Sequence, residues 1–434
     1  MAKDPRETLD MAPMGLLQIL IVGLTCLLNG LDGFDVLSIS FASPGIATEW
    51  GVDRGALGIV LSMELIGMTI GAIVFGGIAD RTGRRKTSLV CMAIMALGML
   101  LTTFVGSVFQ LSMCRIFTGI GLGGLLSAIT PLAAEFANRK RRHMSVAIMS
   151  IGYPIGGVIG GSIAAQLLVN HSWRSVFYLG AGVTALFIPV FFFLVPESVY
   201  WLVRKQPQGA LKKVNAALRR LGHEPVDALP EIELAAQKKT MSAIFAPGMA
   251  SITTIVTIAY FLQITSYYFI LKWVPKVVAD LGFTVSEAGN VLVFANIGGA
   301  VGGAIFGFLT LRYSPKILTL GTMMMGGLFI ALFGSTPIDL VYMSAMAFLC
   351  GFFGNATIVG MFTLFAHVFP THMRASGLGF CVGLGRGAGI LSPIIVGFLF
   401  QCGFSLPSVT VLISIGAFAG AAVLFFLKMR ENEE

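Results

Sequence analysis

Long apolar runs alternate with short polar segments along the chain. The runs occupy 16–41, 57–79, 87–106, 111–136, 144–168 and 175–195. A polar stretch follows at 196–251, and six more runs cover 252–273, 287–311, 317–335, 340–365, 373–400 and 409–427. Many of them exceed the roughly 20 residues that a helix needs to cross a bilayer. The pattern predicts an all-α membrane protein of twelve spans. An N-terminal six-helix bundle takes 1–195, a linker 196–251, and a C-terminal six-helix bundle 252–434. Within the linker, 208–221 predicts a basic amphipathic helix lying along the membrane surface.

The two halves read as a weak repeat. Gly76 opens a charged loop after span 2, and Gly307 opens a similar one after span 8, 231 positions later. His143-Met144 precedes span 5 and His372-Met373 precedes span 11, at an offset of 229. The second loop carries Leu311 where the first has Asp80, so its charged chemistry is incomplete.

Composition agrees with this pattern. Charged residues make up 12% of the chain, hydrophobic residues 56%, and Gly 53 of 434. So little charge cannot cover the surface of a soluble chain of this length. Glycine in such numbers suits close helix packing in lipid. The net charge is +8, and 23 of the 29 Lys and Arg fall on one side of a twelve-span arrangement. That side is expected to be the cytoplasm, with both termini on it. The basicity therefore reports topology, and no nucleic-acid partner is expected. Six scattered cysteines contain no CxxC pair, which argues against a disulfide framework or a zinc site. Residues 1–15 are charged and the run after them is too long for a signal peptide, so span 1 is expected to be its own anchor.

Ionisable residues inside a span are costly and are functional candidates. Asp32 and Asp35 share one face of span 1 by their i, i+3 spacing, with Asp32 roughly 24 Å from the start of the run. Two carboxylates so close in low dielectric do not both ionise easily, which suits taking up and releasing a proton. The alternative is a pair of acids at a water-filled mouth. Glu64 lies roughly 10 Å from the outer end of span 2, with Gly67 and Gly71 following on its face. It is either a helix-end glutamate reaching water or a third member of the acid cluster.

Arg115 opens Arg115-Ile116-Phe117-Thr118-Gly119-Ile120-Gly121 in span 4. Arg386 sits in Gly383-Leu384-Gly385-Arg386-Gly387 of span 11, about 20 Å from the cytoplasmic end. A guanidinium keeps its proton and needs an anion there. For Arg386 a substrate or coupling carboxylate is favoured over a structural pair, and both readings stay open for Arg115. Lys272, beside Trp273 and Pro275, is expected to snorkel to the interface. Tyr260, Gln263, Tyr267 and Tyr268 of span 7, with Phe352, Phe353, Asn355 and Thr357 of span 10, outline an aromatic slot with polar edges. Such a slot holds flat rings by offset stacking.

The loop Gly76-Gly77-Ile78-Ala79-Asp80-Arg81-Thr82-Gly83-Arg84-Arg85-Lys86 resembles the signature loop of major facilitator superfamily transporters, with Ile78 in place of a leucine. Asp80 is placed to cap the following helix, and the basic residues to hold the loop in the cytoplasm. Arg115 with its glycines resembles a further superfamily motif tied to proton transfer. Pro196-Glu197-Ser198 resembles the motif that follows span 6. Asp32-Gly33-Phe34-Asp35, together with Phe369-Pro370-Thr371-His372-Met373-Arg374-Ala375-Ser376-Gly377 and Gly385-Arg386, resembles the aromatic acid:proton symporter family within that superfamily.

That resemblance implies a major facilitator fold working by alternating access. It implies a monomeric multi-pass protein of the bacterial cytoplasmic membrane, importing an aromatic carboxylate with protons for aromatic catabolism, with no cofactor. Asp32, Asp35, Glu64 and Arg115 would serve proton coupling. Arg386 would meet the substrate carboxylate, with Tyr260, Gln263, Tyr267, Phe353 and Asn355 around the ring. Asp80, Arg84, Glu135, Arg139 and Arg374 would form the cytoplasmic gate, with Glu135 pairing with Arg139 or Arg84. In this family a small apolar residue is expected where Glu64 stands. A proton-coupled exporter of the same fold and a facilitator for another organic anion are the alternatives. An enzyme is not expected: there is no HExxH, no GxSxG and no Walker loop. Gly383-x-Gly385-x-x-Ala388 imitates a dinucleotide fingerprint, but it lies inside a span with no preceding strand.

Overall fold

The computed structural model describes residues 4–230, 244–246, 249–370 and 373–427. Those residues form helices and no strand. A short α1 (Pro5–Met11) precedes α2 (Leu16–Trp50), α3 (Arg54–Thr82), α4 (Arg84–Thr102), α5 (Val108–Glu135), α6 (Arg142–Asn170) and α7 (Arg174–Leu194). The linker contributes α8 (Val199–Lys205) and α9 (Ala210–Arg220). The basic helix read at 208–221 is therefore present. Next come α10 (Ala250–Asp280), α11 (Val285–Leu309), α12 (Pro315–Phe333), α13 (Leu340–Val368), α14 (Arg374–Gln401) and α15 (Leu406–Phe425). Among the described residues, twelve helices are long and apolar enough to span a membrane.

Several helices outrun the apolar runs that signal them. The run at 16–41 ends nine residues before α2 does, because α2 continues through Pro44 to Trp50. Proline has no N–H for the Ser40 carbonyl. The Ser43 hydroxyl donates to that carbonyl instead, at 2.8 Å. Such local repair is how membrane helices tolerate proline.

Contacts gather the chain into two compact units. The first holds Met1–Val36, Ile66–Gly156 and Phe177–Gln237; the second holds Leu37–Leu65, Gly157–Val176 and Lys238–Glu434. The divisions fall inside α2, α3 and α6, because the stretches of those helices in the second unit pack on the C-terminal helices. Gly58 of α3 lies against the Pro393 carbonyl and Gly397 of α14, and Gly161 of α6 against Phe41 and Val293.

In the first unit, glycine sets the helix separations. Gly67 and Gly71 of α3 lie on the Ile116 and Ile120 carbonyls of α5, where any Cβ would collide with main chain. Gly33, between the two aspartates of α2, lies in the same way on the Tyr153 carbonyl of α6. Small residues let membrane helices gain dispersion contacts that lipid does not otherwise favour. In the second unit α10 packs on α14 and α15, and α13 packs on α11 and α12. A core of Tyr260, Ile264, Phe365, Phe369 and Cys381 fills the space around α10.

Candidate functional site

The basic end of the first unit carries a charged cluster. Asp80 lies in the last turn of α3, since that helix runs on to Thr82. It is therefore not the cap of α4: the N-cap is Gly83, with no side-chain hydrogen bond. Asp80 instead meets Arg84 at 2.7 Å and Arg204 of α8 at 3.1 Å. The Trp201 indole N–H donates to the Asp80 carbonyl at 3.1 Å. Arg84 also reaches Glu135 at 3.7 Å. Of the two bases proposed for Glu135, Arg84 is the one in contact. Arg139 is exposed, and its main-chain N–H donates to Asp10. The Arg374 side chain lies outside the described residues, as do Thr371 and His372.

The acidic partner at the start of α4 is Glu197, which accepts from the Arg85 main-chain N–H at 3.1 Å. A carboxylate suits a helix N-terminus, where unpaired N–H groups converge. The Arg85 guanidinium donates to the Phe192 carbonyl at 2.6 Å and lies over the Phe192 ring. Glu197 was visible in the Pro196-Glu197-Ser198 motif, but nothing in that motif named its target. A second cluster had no sequence signal. Asp10 of α1 takes Arg142 at 2.6 Å and the Tyr200 hydroxyl at 2.7 Å. Burial, followed by that bond to Asp10, pushes Tyr200 up to about 12.

Gly83 has φ 108° and ψ 155°, a backbone region that excludes other residues. A Cβ there would also meet the Glu197 carboxylate. Gly83→Ala is expected to destabilise the fold by about 1–3 kcal/mol. The check is the thermal midpoint of purified protein in detergent, which should fall relative to Gly77→Ala, where a Cβ meets open space.

Deeper in the first unit, Asp32 and Asp35 are 3% and 0% exposed. Arg115, also fully buried, donates to the Asp35 main-chain carbonyl at 3.0 Å and lies over the Phe177 ring. Its other terminal nitrogen faces the Met99 sulfur at 3.2 Å. The Asp35 carboxylate borders Gly180, where a Cβ would lie 3.1 Å from Oδ1. The structure thus brings together three of the four residues assigned to proton coupling.

Glu64 falls in the second unit, where its ion partner is Lys272 at 3.9 Å, and both side chains are 0% exposed. Two expectations are corrected. Lys272 does not snorkel to an interface, and Glu64 is not a helix-end acid in water. An opposite charge within the protein holds each of them inside.

Also in the second unit, Tyr260 and Tyr267 are buried on α10. Tyr260 lies on Gly385 of α14, Tyr268 on Gly389, and Tyr267 on Gly354 of α13. Arg386 is half-buried between the two glycines of α14. Gln263 is fully buried, and its amide makes no hydrogen bond within the described residues. Asn355 donates to the Gly299 carbonyl at 2.7 Å, close to the Tyr267 hydroxyl. Phe353 does not join this face. It stacks on Phe329 of α12 at 5.4 Å, because position 353 falls on the side of α13 that packs against α12.

The Major Facilitator Superfamily family model matches residues 25–270 and 256–434. The chain is similar to a gallate transporter of Pseudomonas putida, at 29% identity over 97% of this chain and 94% of that protein. It is similar to the 4-hydroxybenzoate transporter PcaK of Acinetobacter baylyi, at 28% identity over 98% and 94% of the two chains. Among solved structures it superposes on a D-xylose-proton symporter with a TM-score of 0.74 and 17% identity, over 94% of this chain and 96% of that one. That last likeness concerns the fold alone.

Proposed function

Since the chain belongs to the Major Facilitator Superfamily, we propose that it imports an aromatic carboxylate with protons across a bacterial cytoplasmic membrane. It is a multi-pass transporter rather than an enzyme. The observation that carries the proton-coupled reading is the pair of buried aspartates on one face of α2, next to a buried arginine. Carboxylates in such a place are retained for a task, and the gain and loss of a proton is one that needs no other group. The relatives that transport gallate and 4-hydroxybenzoate support an aromatic acid as substrate.

The roles follow from chemistry. Asp32 and Asp35 exchange the coupling proton, with Arg115 steadying the helix that carries them. Arg386 meets the substrate carboxylate as a two-pronged donor. Tyr260, Tyr267 and Tyr268 face the ring, and Gln263 and Asn355 supply polar edges suited to ring hydroxyls. The basic end faces the cytoplasm. There Asp80, Arg84, Arg204 and Glu135 fasten helix ends that part when the inner side opens. Arg139 and Arg374 keep their proposed place in this gate.

Uptake of labelled 4-hydroxybenzoate and gallate into proteoliposomes tests the proposal. Accumulation is expected only with a proton gradient directed inward. Uptake indifferent to the gradient would reduce the protein to a facilitator and return the aspartates to a structural role.

A further inference from the structure

Two ion contacts mark the seam where α3 packs on α10 within the second unit. Arg54 meets Asp280 at 3.0 Å near the helix ends. Further along α3, Glu64 meets Lys272 at 3.9 Å. The polarity reverses between them. The base is on α3 at the first contact and on α10 at the second. Neutral contacts run beside them: the Ser62 hydroxyl donates to the Ile390 carbonyl at 2.7 Å, and the Trp273 indole N–H to the Pro393 carbonyl at 3.2 Å.

The two contacts differ in kind. Arg54 and Asp280 are partly exposed, so water screens them and their pairing contributes little. Glu64 and Lys272 are fully buried. Their separation exceeds hydrogen-bond length, so this contact is held by charge without a directional bond between them. A buried pair at such a distance stabilises poorly. An anion that approaches Nζ more closely than 3.9 Å competes with Glu64 for it.

The position of Lys272 matters as well. It stands one turn beyond Tyr268 on the same face of α10, and Tyr268 rests on Gly389, one turn from Arg386. Its neighbour Trp273 lines a cavity of about 160 Å³ together with Arg54, Asp280, Phe400 and Phe404. Along α10, Lys272 therefore stands between the Trp273 that lines this cavity and the Tyr268 that rests on α14 near Arg386.

Resting on the carboxylate-import reading above, we propose that Lys272 is a binding site for the substrate carboxylate and that Glu64 is a built-in competitor for it. While the seam is closed, Glu64 holds the ammonium. When α3 parts from α10, the arriving carboxylate takes the place of Glu64 on Nζ, and Glu64 passes to the water that enters with it. One anion replaces another, so the charge around Lys272 is unchanged.

The competitor role sets opposite signs for the two halves of one ion pair. The test is equilibrium binding of 4-hydroxybenzoate and gallate to the full chain in lipid nanodiscs. E64Q is expected to bind about tenfold more tightly than wild type, and K272Q about tenfold more weakly, within the usual range of coupling between sites. K272R keeps the charge and should stay close to wild type. The double variant E64Q/K272Q removes both charges of this contact together, so it remains informative where a single variant does not fold. It should bind as weakly as K272Q, and wild-type affinity in it would overturn the proposal. A purely structural pair predicts that E64Q and K272Q weaken binding alike, and that result also overturns it. Wild-type protein that binds neither acid would remove the substrate reading and this inference with it. Wild-type binding with both single variants shifting in the same direction removes the inference alone.

Discussion

Asp32→Asn is expected to abolish gradient-driven accumulation of an aromatic acid while leaving exchange between two pools of the acid intact. Asparagine matches aspartate in size and keeps its place in α2, but it cannot take up a proton in this range. A change of about 1.4 kcal/mol corresponds to a tenfold ratio. One proton per substrate therefore lets a gradient of one pH unit sustain about tenfold accumulation. If Asp32 has the proposed role, the inside-to-outside ratio in the variant should settle near unity, whatever gradient is imposed. Asp35→Asn should act similarly and leave the Arg115 contact in place, because Arg115 bonds the main-chain carbonyl at position 35. Full accumulation by Asp32→Asn would refute the proposed role. Loss of exchange as well as accumulation would point to a general defect of the helix.

The second large effect concerns recognition. Arg386→Lys preserves the positive charge and removes the planar pair of donors that fits a carboxylate. Charge-assisted hydrogen bonds are worth about 1.5–3 kcal/mol, so half-saturation for a carboxylated substrate should rise roughly 10- to 100-fold. A ring analogue bearing an amide in place of the carboxylate should show a much smaller change. Equal losses for the two compounds would argue against direct contact. Competition against labelled substrate in proteoliposomes measures both. Gly385 and Gly389 flank the arginine and seat α14 on Tyr260 and Tyr268. Any general repacking of that surface would therefore affect both compounds.

Much of the fold was legible because bilayer thickness imposes a length on every span, and length survives in a single sequence. Twelve apolar runs gave twelve helices. Helix ends were less legible, since α2 continues past Pro44 by a hydroxyl repair that hydropathy does not record. The site was legible wherever one element carries the information. Asp32 and Asp35 share a helix face by spacing alone. Partners across elements were not. Lys272 beside a tryptophan looks like an interfacial lysine until Glu64, far away in the chain, is found next to it. Asp80 looked like a cap because the apolar run stops at 79, whereas α3 continues to Thr82. Phe353 differs from its neighbours only in which side of α13 it occupies, and a uniformly apolar helix gives no phase from which to read that.

Gly33 attaches a steric condition to the two acids that flank it. Its α-carbon rests on the main chain of α6 at Tyr153, so even one added methyl group there would push α2 aside and carry both carboxylates with it. The motif consequently has no tolerance at Gly33, a position with no chemistry of its own. A random-mutation library selected for transport should be as depleted at Gly33 as at the aspartates themselves. The nucleotide changes that spare the two aspartates but enlarge this residue would be lost through geometry alone.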